Sequence, residues 1–386
     1  MIHAYRGDHR HDPGSRFGGV DRPPIPASMR ATAEFSLPVE VIQDDAQARI
    51  EVRRKPLGVV GSITPWNWPL MIAIWHVIPA LRTGNTVVIK PSSLTPLTTI
   101  RFAELSNEVL SPGVLNIVTA ECGIGSAVAS HPDIAKMVFT CSTPIGKNIM
   151  QSACGNLKRL TLELGGNDAG IVLPDVSVEE IVPKIFAAAF NNNGQTCVAL
   201  KRLYVHEDIH AALTKVATGV STGNGLEKGV DLGPLQNKDQ LDLVVALAED
   251  TRKAGGRFLC GGIKPGGIGY FYPVTLVADV NDGMRLADEE QFGPILPISK
   301  YSDIDEAIRR ANNSPFGLGG SVWAKDIEKA KILAMRLECG SAWVNTHADI
   351  QPNAPFGGMK ESGFGVEFAR EGLAEYTSIQ TVKVKG

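Results

Sequence analysis

Short apolar runs alternate with amphipathic stretches through the first half of the chain. Val59-Val60-Gly61-Ser62-Ile63, Thr86-Val87-Val88-Ile89, Val114-Leu115-Asn116-Ile117-Val118, Met137-Val138-Phe139 and Leu160-Thr161-Leu162 are too short for helices and too continuously apolar for strands with one wet face. Between them, helical spacing is expected over 70–81, over 96–110, from near Gly125 and after Pro144. This alternation predicts an α/β fold whose parallel sheet is covered on both faces, with its ligand crevice at the carboxyl ends of the strands.

The second half repeats the α/β style without an internal repeat. Helices are expected over 178–192, 209–220, 237–254, 304–312 and 327–337, strands over 202–205 and 341–345, and a Gly-rich connection over 255–269. Ahead of the alternation, Val39-Glu40-Val41-Ile42 and Ala48-Arg49-Ile50-Glu51-Val52 flank Gln43-Asp44-Asp45 as a hairpin would. Residues 1–33, rich in Gly, Pro, Arg and His up to Met29, are expected to be irregular. The C-terminal run 376–384 alternates as an edge strand does. It is expected to pair with another chain, the plain alternative being pairing within its own.

A chain of 386 residues, 44% hydrophobic, is long enough to bury a large core and divide into domains. Its net charge of −3 offers no basic field, so nucleic acid and anionic membrane are not expected partners. The most apolar window, 59–81, holds Pro65, Pro69, Pro79, Asn67 and His76, which argues against a spanning helix. The N-terminus lacks the apolar core of a signal peptide. Six cysteines without a C-x-x-C spacing suit neither zinc nor a disulfide framework, and a reducing, cytoplasmic setting is expected.

Two stretches carry the candidate chemistry. Phe190-Asn191-Asn192-Asn193-Gly194-Gln195-Thr196-Cys197 puts a thiol after a polar turn that follows an apolar helix. A lone cysteine is more often inert packing, but this turn favours a nucleophile. Leu162-Glu163-Leu164-Gly165-Gly166-Asn167 ends an apolar strand in a carboxylate. Glu163 is either a solvated strand-end acid or a general base whose burial raises its pKa, and its spacing alone favours neither. In Thr64-Pro65-Trp66-Asn67-Trp68-Pro69, at least one tryptophan suits a core, while the amide of Asn67 is held stiffly, as an oxyanion donor must be. Lys90, in Lys90-Pro91-Ser92-Ser93, is a solvated strand-end lysine or a contact for ribose or phosphate. In Phe139-Thr140-Cys141-Ser142-Thr143-Pro144, Ser142 and Thr143 are expected to cap a helix whose N-terminus suits pyrophosphate, an ordinary N-cap being the plain alternative. Gly123-Ile124-Gly125 lacks the third glycine of the dinucleotide fingerprint.

Taken in order, PWNWP, KPSS, FTCSTPIG, LELGGN, FNNNGQTC, EEQFGP and PFGGMKESG resemble the NAD(P)-dependent aldehyde dehydrogenase superfamily from about Leu57 to Lys385. The resemblance implies a Rossmann-like cofactor domain over 55–163 and an α/β catalytic domain over 164–361. A β oligomerisation element would come from the hairpin 34–54 and the return segment 362–386. It implies a homodimer or homotetramer that oxidises a small aldehyde to the acid with NAD or NADP. Cys197 would be the nucleophile, Glu163 the general base and Asn67 the oxyanion donor. Lys90 would hold the adenosine ribose, Ser142 the pyrophosphate and Glu290 the nicotinamide ribose, with Phe292 against the nicotinamide. Ile63, Thr64, Pro65, Trp66, Ser93, Gly125 and Phe139 would complete the cofactor contacts.

Glu163 favours hydrolysis of the thioester over transfer to coenzyme A. Ser93 stands where many members carry a glutamate that repels a 2′-phosphate, so NADP should be tolerated. Cys141 replaces a common glycine, and Pro144 an acidic or flexible residue. Trp68, Ile72, Trp75, Val198 and Phe356 would line the aldehyde tunnel, which favours an aromatic or medium aliphatic aldehyde. Relatives carry a longer segment ahead of the hairpin, so the competing expectation is a shortened, catalytically impaired relative that serves as a nucleotide-binding or assembly subunit.

Overall fold

The computed structural model describes residues 25–120, 123–215 and 221–386. The chain forms two units, one holding Gly165–Asp349 with Gly358–Ser362, the other the described residues up to Leu164 with Ile350–Gly357 and Gly363–Gly386.

In the second of these, the apolar runs become a six-stranded sheet ordered Gly363–Phe364, Arg159–Glu163, Ile134–Thr140, Val59–Ile63, Thr86–Lys90, Leu115–Ile117. Five strands are parallel and Gly363–Phe364 joins antiparallel. The chain runs outward from Val59–Ile63 to Leu115–Ile117, then returns to its other side at Ile134–Thr140. That reversal makes a topological switch point, where a parallel sheet opens a crevice at its carboxyl ends. Helices Pro69–Arg82 and Leu97–Asn107 close one core with Val60, Val87, Ile89, Leu115 and Val138. The other sheet face packs Ile63, Met137, Phe139 and Leu162 with Ile149 of helix Thr143–Ala153.

The N-terminal reading needs correction. Residues 1–24 lie outside the described residues, but 25–33 are not irregular: Ile25–Glu34 is a helix that packs on Pro69–Arg82, with Arg82 Nε donating to the Ala33 carbonyl at 2.9 Å. The hairpin forms as Glu40–Asp44 and Ala48–Pro56. Strand Thr377–Lys385 pairs with Ala48–Pro56 over its whole length, so the C-terminal strand finds its partner within its own chain. Asn85, buried, secures this return by donating to the Tyr376 carbonyl at 2.9 Å.

The other unit is built on a seven-stranded sheet ordered Arg257–Cys260, Thr275–Ala278, Ile295–Tyr301, Leu200–His206, Asp168–Val172, Gly319–Trp323, Ser341–Val344. All neighbours are parallel except the first pair. The Gly-rich connection expected over 255–269 therefore contains a strand, because Arg257-Phe258-Leu259-Cys260 pairs with Thr275–Ala278. Helix Val178–Phe190 lays Ile181, Ile185 and Phe186 on Leu203, Leu296 and Ile298. The helix expected over 209–220 is Glu207–Lys215, with 216–220 outside the described residues. Among the described residues no helix is long and apolar enough to cross a membrane.

Candidate active site

Cys197 lies between helix Val178–Phe190 and the central strand Leu200–His206, and its position is set by an unusual turn. Asn192, Asn193 and Gly194 follow one another with φ of 53°, 61° and 74°. Left-handed backbone costs an L-residue of order 1 kcal/mol, least for Asn and nothing for Gly. Asn193 Nδ2 donates to the Gly233 carbonyl at 3.0 Å, Gln195 Nε2 to the Asn192 carbonyl at 3.0 Å, and Gln236 N–H to Gln195 Oε1 at 2.9 Å. At Gly194 a Cβ would lie 2.3 Å from the Gly293 carbonyl oxygen, so only glycine fits. Residues 193–196 are buried while Asn191, Asn192 and Cys197 are half-buried, so the turn is closed in its middle and brings Cys197 out at its end.

The main chain of Cys197 is held as firmly. Lys201 Nζ, 3% exposed, donates to the Cys197 carbonyl at 2.5 Å and pairs with Glu290 Oε1 at 3.0 Å. Gly166 N–H donates to the same Glu290 oxygen at 3.1 Å. A Cβ on Gly166 would meet the Cys197 carbonyl oxygen at 2.7 Å, and one on Gly165 would meet Glu290 Oε2 at 2.2 Å. The glycine pair thus lets a carbonyl and a carboxylate approach bare backbone. After Cys197, buried His347 receives or donates a hydrogen bond at the Val198 carbonyl (3.0 Å) and Ser321 Oγ (2.9 Å). Nε2 of the ring lies 3.5 Å from buried Asp168, which fixes the ring. The Val198 carbonyl can only accept, so Nε2 carries the proton. Phe292 adopts φ 47° immediately after Gln291, whose buried amide donates to the Lys201 carbonyl at 2.7 Å.

In the unit that carries the six-stranded sheet, Glu163 closes Arg159–Glu163 at the carboxyl edge, where its carbonyl accepts from Cys141 N–H at 3.2 Å. Its side chain is 5% exposed and neither oxygen has a hydrogen-bond partner among the described residues. Burial first, and the Glu367 charge second, push its carboxyl well above the ordinary range. The solvated strand-end alternative is therefore corrected: the acid is buried, with Gly357 beside Oε1 and the strand Gly363–Phe364 paired along its main chain.

Glu367 belongs to a cluster of buried ionisable groups. Burial pushes it up to about 8, against the pull of Lys136, which is itself pushed down by burial to about 8. Lys136 Nζ donates to Thr161 Oγ1 at 2.5 Å and lies 3.7 Å from Glu375. His76, wholly buried and pushed down to about 3, bonds Ser62 Oγ at 2.8 Å and Thr140 Oγ1 at 3.0 Å, with Glu367 at 3.7 Å. Charges inside otherwise apolar runs were the sequence signal for Lys136, His76 and Lys201, and sequence reasoning missed all three.

The remaining predicted residues gather at the switch point. Ile63, Thr64, Pro65, Phe139 and Asn67 are buried, whereas Trp66, Lys90 and Gly125 are half-buried and Ser93 and Ser142 exposed. Thr64 N–H donates to the Lys90 carbonyl at 3.2 Å, which binds these two strand ends together. Ser142 sits at the N-cap of Thr143–Ala153 but its side chain makes no capping bond, contrary to expectation. Its backbone is in the extended conformation usual for an N-cap (φ −73°, ψ 149°), so it is the side chain rather than the main chain that leaves the N-terminal N–H groups without that acceptor. Thr64 Oγ1 is buried without a hydrogen-bond partner among the described residues. An uncapped helix N-terminus, an orphaned hydroxyl and a strand-end lysine at a switch point are the donors that a dinucleotide needs. The residues present fit such a group. Of the tunnel residues, Trp75 stacks edge-on against Phe356 and Phe368, with centroids 6.5 and 4.7 Å away.

Comparison with known proteins gives the same direction. A model of the aldehyde dehydrogenase family matches residues 27–382. Aldehyde dehydrogenase 1A1 of Mesocricetus auratus is 41% identical over 353 residues, 90% of this chain and 70% of that protein. Phenylacetaldehyde dehydrogenase of Pseudomonas fluorescens is 41% identical over 363 residues, 92% of this chain and 72% of its own length. The NAD+ complex of aldehyde dehydrogenase from Bacillus cereus superposes with a TM-score of 0.88 at 37% identity, covering 92% of this chain and 73% of that one. With its fold, its half-buried thiol and a match over nearly its whole length, the chain belongs to the aldehyde dehydrogenase family and is an oxidoreductase.

Proposed function

We propose that this chain oxidises an apolar aldehyde, aromatic or medium aliphatic, to its carboxylic acid through a thioester on Cys197. The observation that carries the reading is the Cys197 turn, three left-handed residues and a web of buried amides that end in a half-buried cysteine. Backbone strain of this kind survives where the surroundings over-determine it, as at a working nucleophile.

The Cys197 thiolate forms the S–C bond to the aldehyde carbon, and the carbonyl π pair moves to oxygen as an alkoxide. Asn67, buried in its stiff Pro-Trp frame, is the donor that stabilises this oxyanion, worth several kcal/mol in such sites. Nicotinamide dinucleotide, when bound, supplies the acceptor for the hydride that the adduct loses on becoming a thioester. Lys90, Ser93, Ser142, Thr64 and Gly125 would hold its adenosine ribose and pyrophosphate, with Ile63, Pro65, Trp66 and Phe139 as the apolar walls. Glu290 and Phe292 would hold the nicotinamide end. NAD is supported by the NAD+ complex of the Bacillus cereus relative, and exposed Ser93 leaves room for the 2′-phosphate of NADP.

Glu163 takes a proton from water, whose oxygen adds to the thioester carbonyl. Collapse of that adduct expels the Cys197 thiolate and releases the acid. Desolvation makes Glu163 a stronger base than a wet carboxylate, at the cost that it must first be ionised. The Trp75–Phe356–Phe368 cluster and the phenylacetaldehyde dehydrogenase relative support an aryl or alkyl substrate tail. A homodimer or homotetramer in the cytoplasm fits the family, and the five cysteines that stand outside any disulfide among the described residues fit a reducing compartment. No observation favours an impaired nucleotide-binding or assembly subunit.

The test is reduced-nicotinamide formation with NAD and with NADP across a panel of aryl and alkyl aldehydes. The parent chain is expected to turn over, and Cys197→Ala to lose on the order of 10⁴-fold or more. A parent chain as silent as the variant across the panel, while still correctly folded by circular dichroism, overturns the reading.

A further inference from the structure

Lys201 has no role in the chemistry above, yet its setting is the most constrained of any cation near Cys197. Its ammonium is 3% exposed, and an ammonium taken out of water costs several kcal/mol unless it is paired. Both of its acceptors belong to the site: the carbonyl of the nucleophile itself and Glu290 Oε1. The ring of Phe292 lies 5.7 Å from Nζ and presents its face to the charge. Glu290 is asymmetric. Oε1 is engaged by Lys201 and by Gly166 N–H, while Oε2 has no such partner among the described residues, on a side chain that is 17% exposed. A side chain at Gly165 would push Oε2 from its place, so the glycine keeps that oxygen where a hydroxyl donor can reach it.

We propose that Lys201 is a positioning residue that ties the Glu290 carboxylate to the main chain of Cys197, so that a ribose diol on Glu290 and the reactivity of the thiol are coupled. This rests on the reading that Glu290 holds the nicotinamide ribose. With Oε2 unengaged, Glu290 compensates the Lys201 charge fully. A diol donating to Oε2 draws on the same carboxylate, so Lys201 is left less compensated and its positive charge acts more on the residue whose carbonyl it holds. A cation favours thiolate over thiol, so occupancy of Glu290 activates Cys197. The link passes through a 3.0 Å ion pair and a 2.5 Å hydrogen bond made by the same ammonium, so Glu290→Gln removes the first alone and Lys201→Met removes both.

The experiment follows alkylation of Cys197 by iodoacetamide as a function of pH, read by mass spectrometry of the Cys197 peptide, with and without NAD. The readout is the pH of half-maximal rate rather than the rate itself, because bound nicotinamide also shields sulfur. NAD binding is measured in parallel by tryptophan quenching. In the parent chain NAD is expected to move the midpoint to lower pH. Lys201→Met should alkylate about 3–10-fold more slowly at neutral pH, with a higher midpoint that NAD no longer moves. Glu290→Gln should show a midpoint below the parent's without NAD, no further response to NAD, and NAD binding weakened about tenfold.

Lys201→Met with the midpoint and NAD response of the parent overturns the coupling, as does a parent midpoint that NAD leaves in place. If Glu290→Gln weakens NAD binding while Lys201→Met keeps the parent's response, the ribose reading stands and the coupling fails. If Glu290→Gln binds NAD as the parent does, the ribose reading itself is wrong. Should Lys201→Met not fold, Glu290→Gln decides the question alone, since a midpoint unchanged by loss of the carboxylate excludes charge transfer through Lys201.

Discussion

The surroundings of Cys197 and those of Glu163 solve opposite problems. Around Cys197 most side-chain donors are committed: asparagine and glutamine amides bond backbone carbonyls, Lys201 holds the cysteine's own carbonyl and His347 the next one, although the acceptors Asn193 Oδ1, Gln291 Oε1 and Asp168 Oδ2 have no hydrogen-bond partner among the described residues. Around Glu163 the carboxylates are stranded: both Glu163 oxygens and both Glu367 oxygens lack hydrogen bonds among the described residues, while Lys136 and His76 keep theirs. The first region stores geometry and the second stores protons. A nucleophile must be aimed, which takes many short contacts. A base must change its charge at the right moment, and a carboxylate saturated with donors would ionise too readily to do so.

The largest break in that contrast is Glu163→Gln. It removes proton acceptance while leaving aim untouched, so a burst of about one reduced nicotinamide per site should persist while steady turnover falls on the order of 10²–10⁴-fold. Stopped-flow absorbance separates the two phases, and a variant without the burst would show that Glu163 acts earlier than hydrolysis.

Gly194→Ala tests the other side. Its Cβ would press on the Gly293 carbonyl from a φ of 74°, so stability should fall by about 2–3 kcal/mol and single-turnover thioester formation by about 10–100-fold. Thermal melts and acid-quenched intermediates measure these. Unchanged acylation in a folded variant would mean that the turn does not aim the thiol.

Glu367→Gln is the smallest and sharpest test. The Glu367 charge raises the Glu163 carboxyl, and removing it must lower it. Because Glu163 works only when ionised, the acidic limb of the pH–rate profile should move to lower pH, with less than about a tenfold change in rate near neutrality. A limb that stays put would assign the raised carboxyl to burial alone.

Much of this architecture could be read from the chain. Five apolar runs became the parallel strands of one sheet, and the polar stretch before Cys197 formed a turn of left-handed residues, because apolar continuity and Asn-Gly content act locally. The second sheet was less legible. No strand was expected at Ile295–Tyr301, which carries Pro297, or at Gly319–Trp323, which opens on two glycines, because neighbouring strands are what make a proline or glycine tolerable there. The helix Ile25–Glu34 was hidden for a similar reason, since its stability comes from packing on Pro69–Arg82 rather than from its own residues. Ser142 stands where an N-cap belongs, but only its torsions decide whether its hydroxyl turns to the helix.

What the sequence determined by itself is therefore the inventory: a cysteine after a polar Asn-Asn-Gly turn, an acid at a strand end, an amide between tryptophans, and the strands of the first sheet. Tertiary structure alone decided the electrostatics. Glu163 is buried beside Gly357 and the paired strand Gly363–Phe364, far along the chain, and that burial first, with the Glu367 charge second, pushes its carboxyl up. Lys201 is held because Glu290 returns from another part of the chain to meet it. Propensity and pattern act over a few residues, whereas the work of removing charges from water depends on everything that surrounds them.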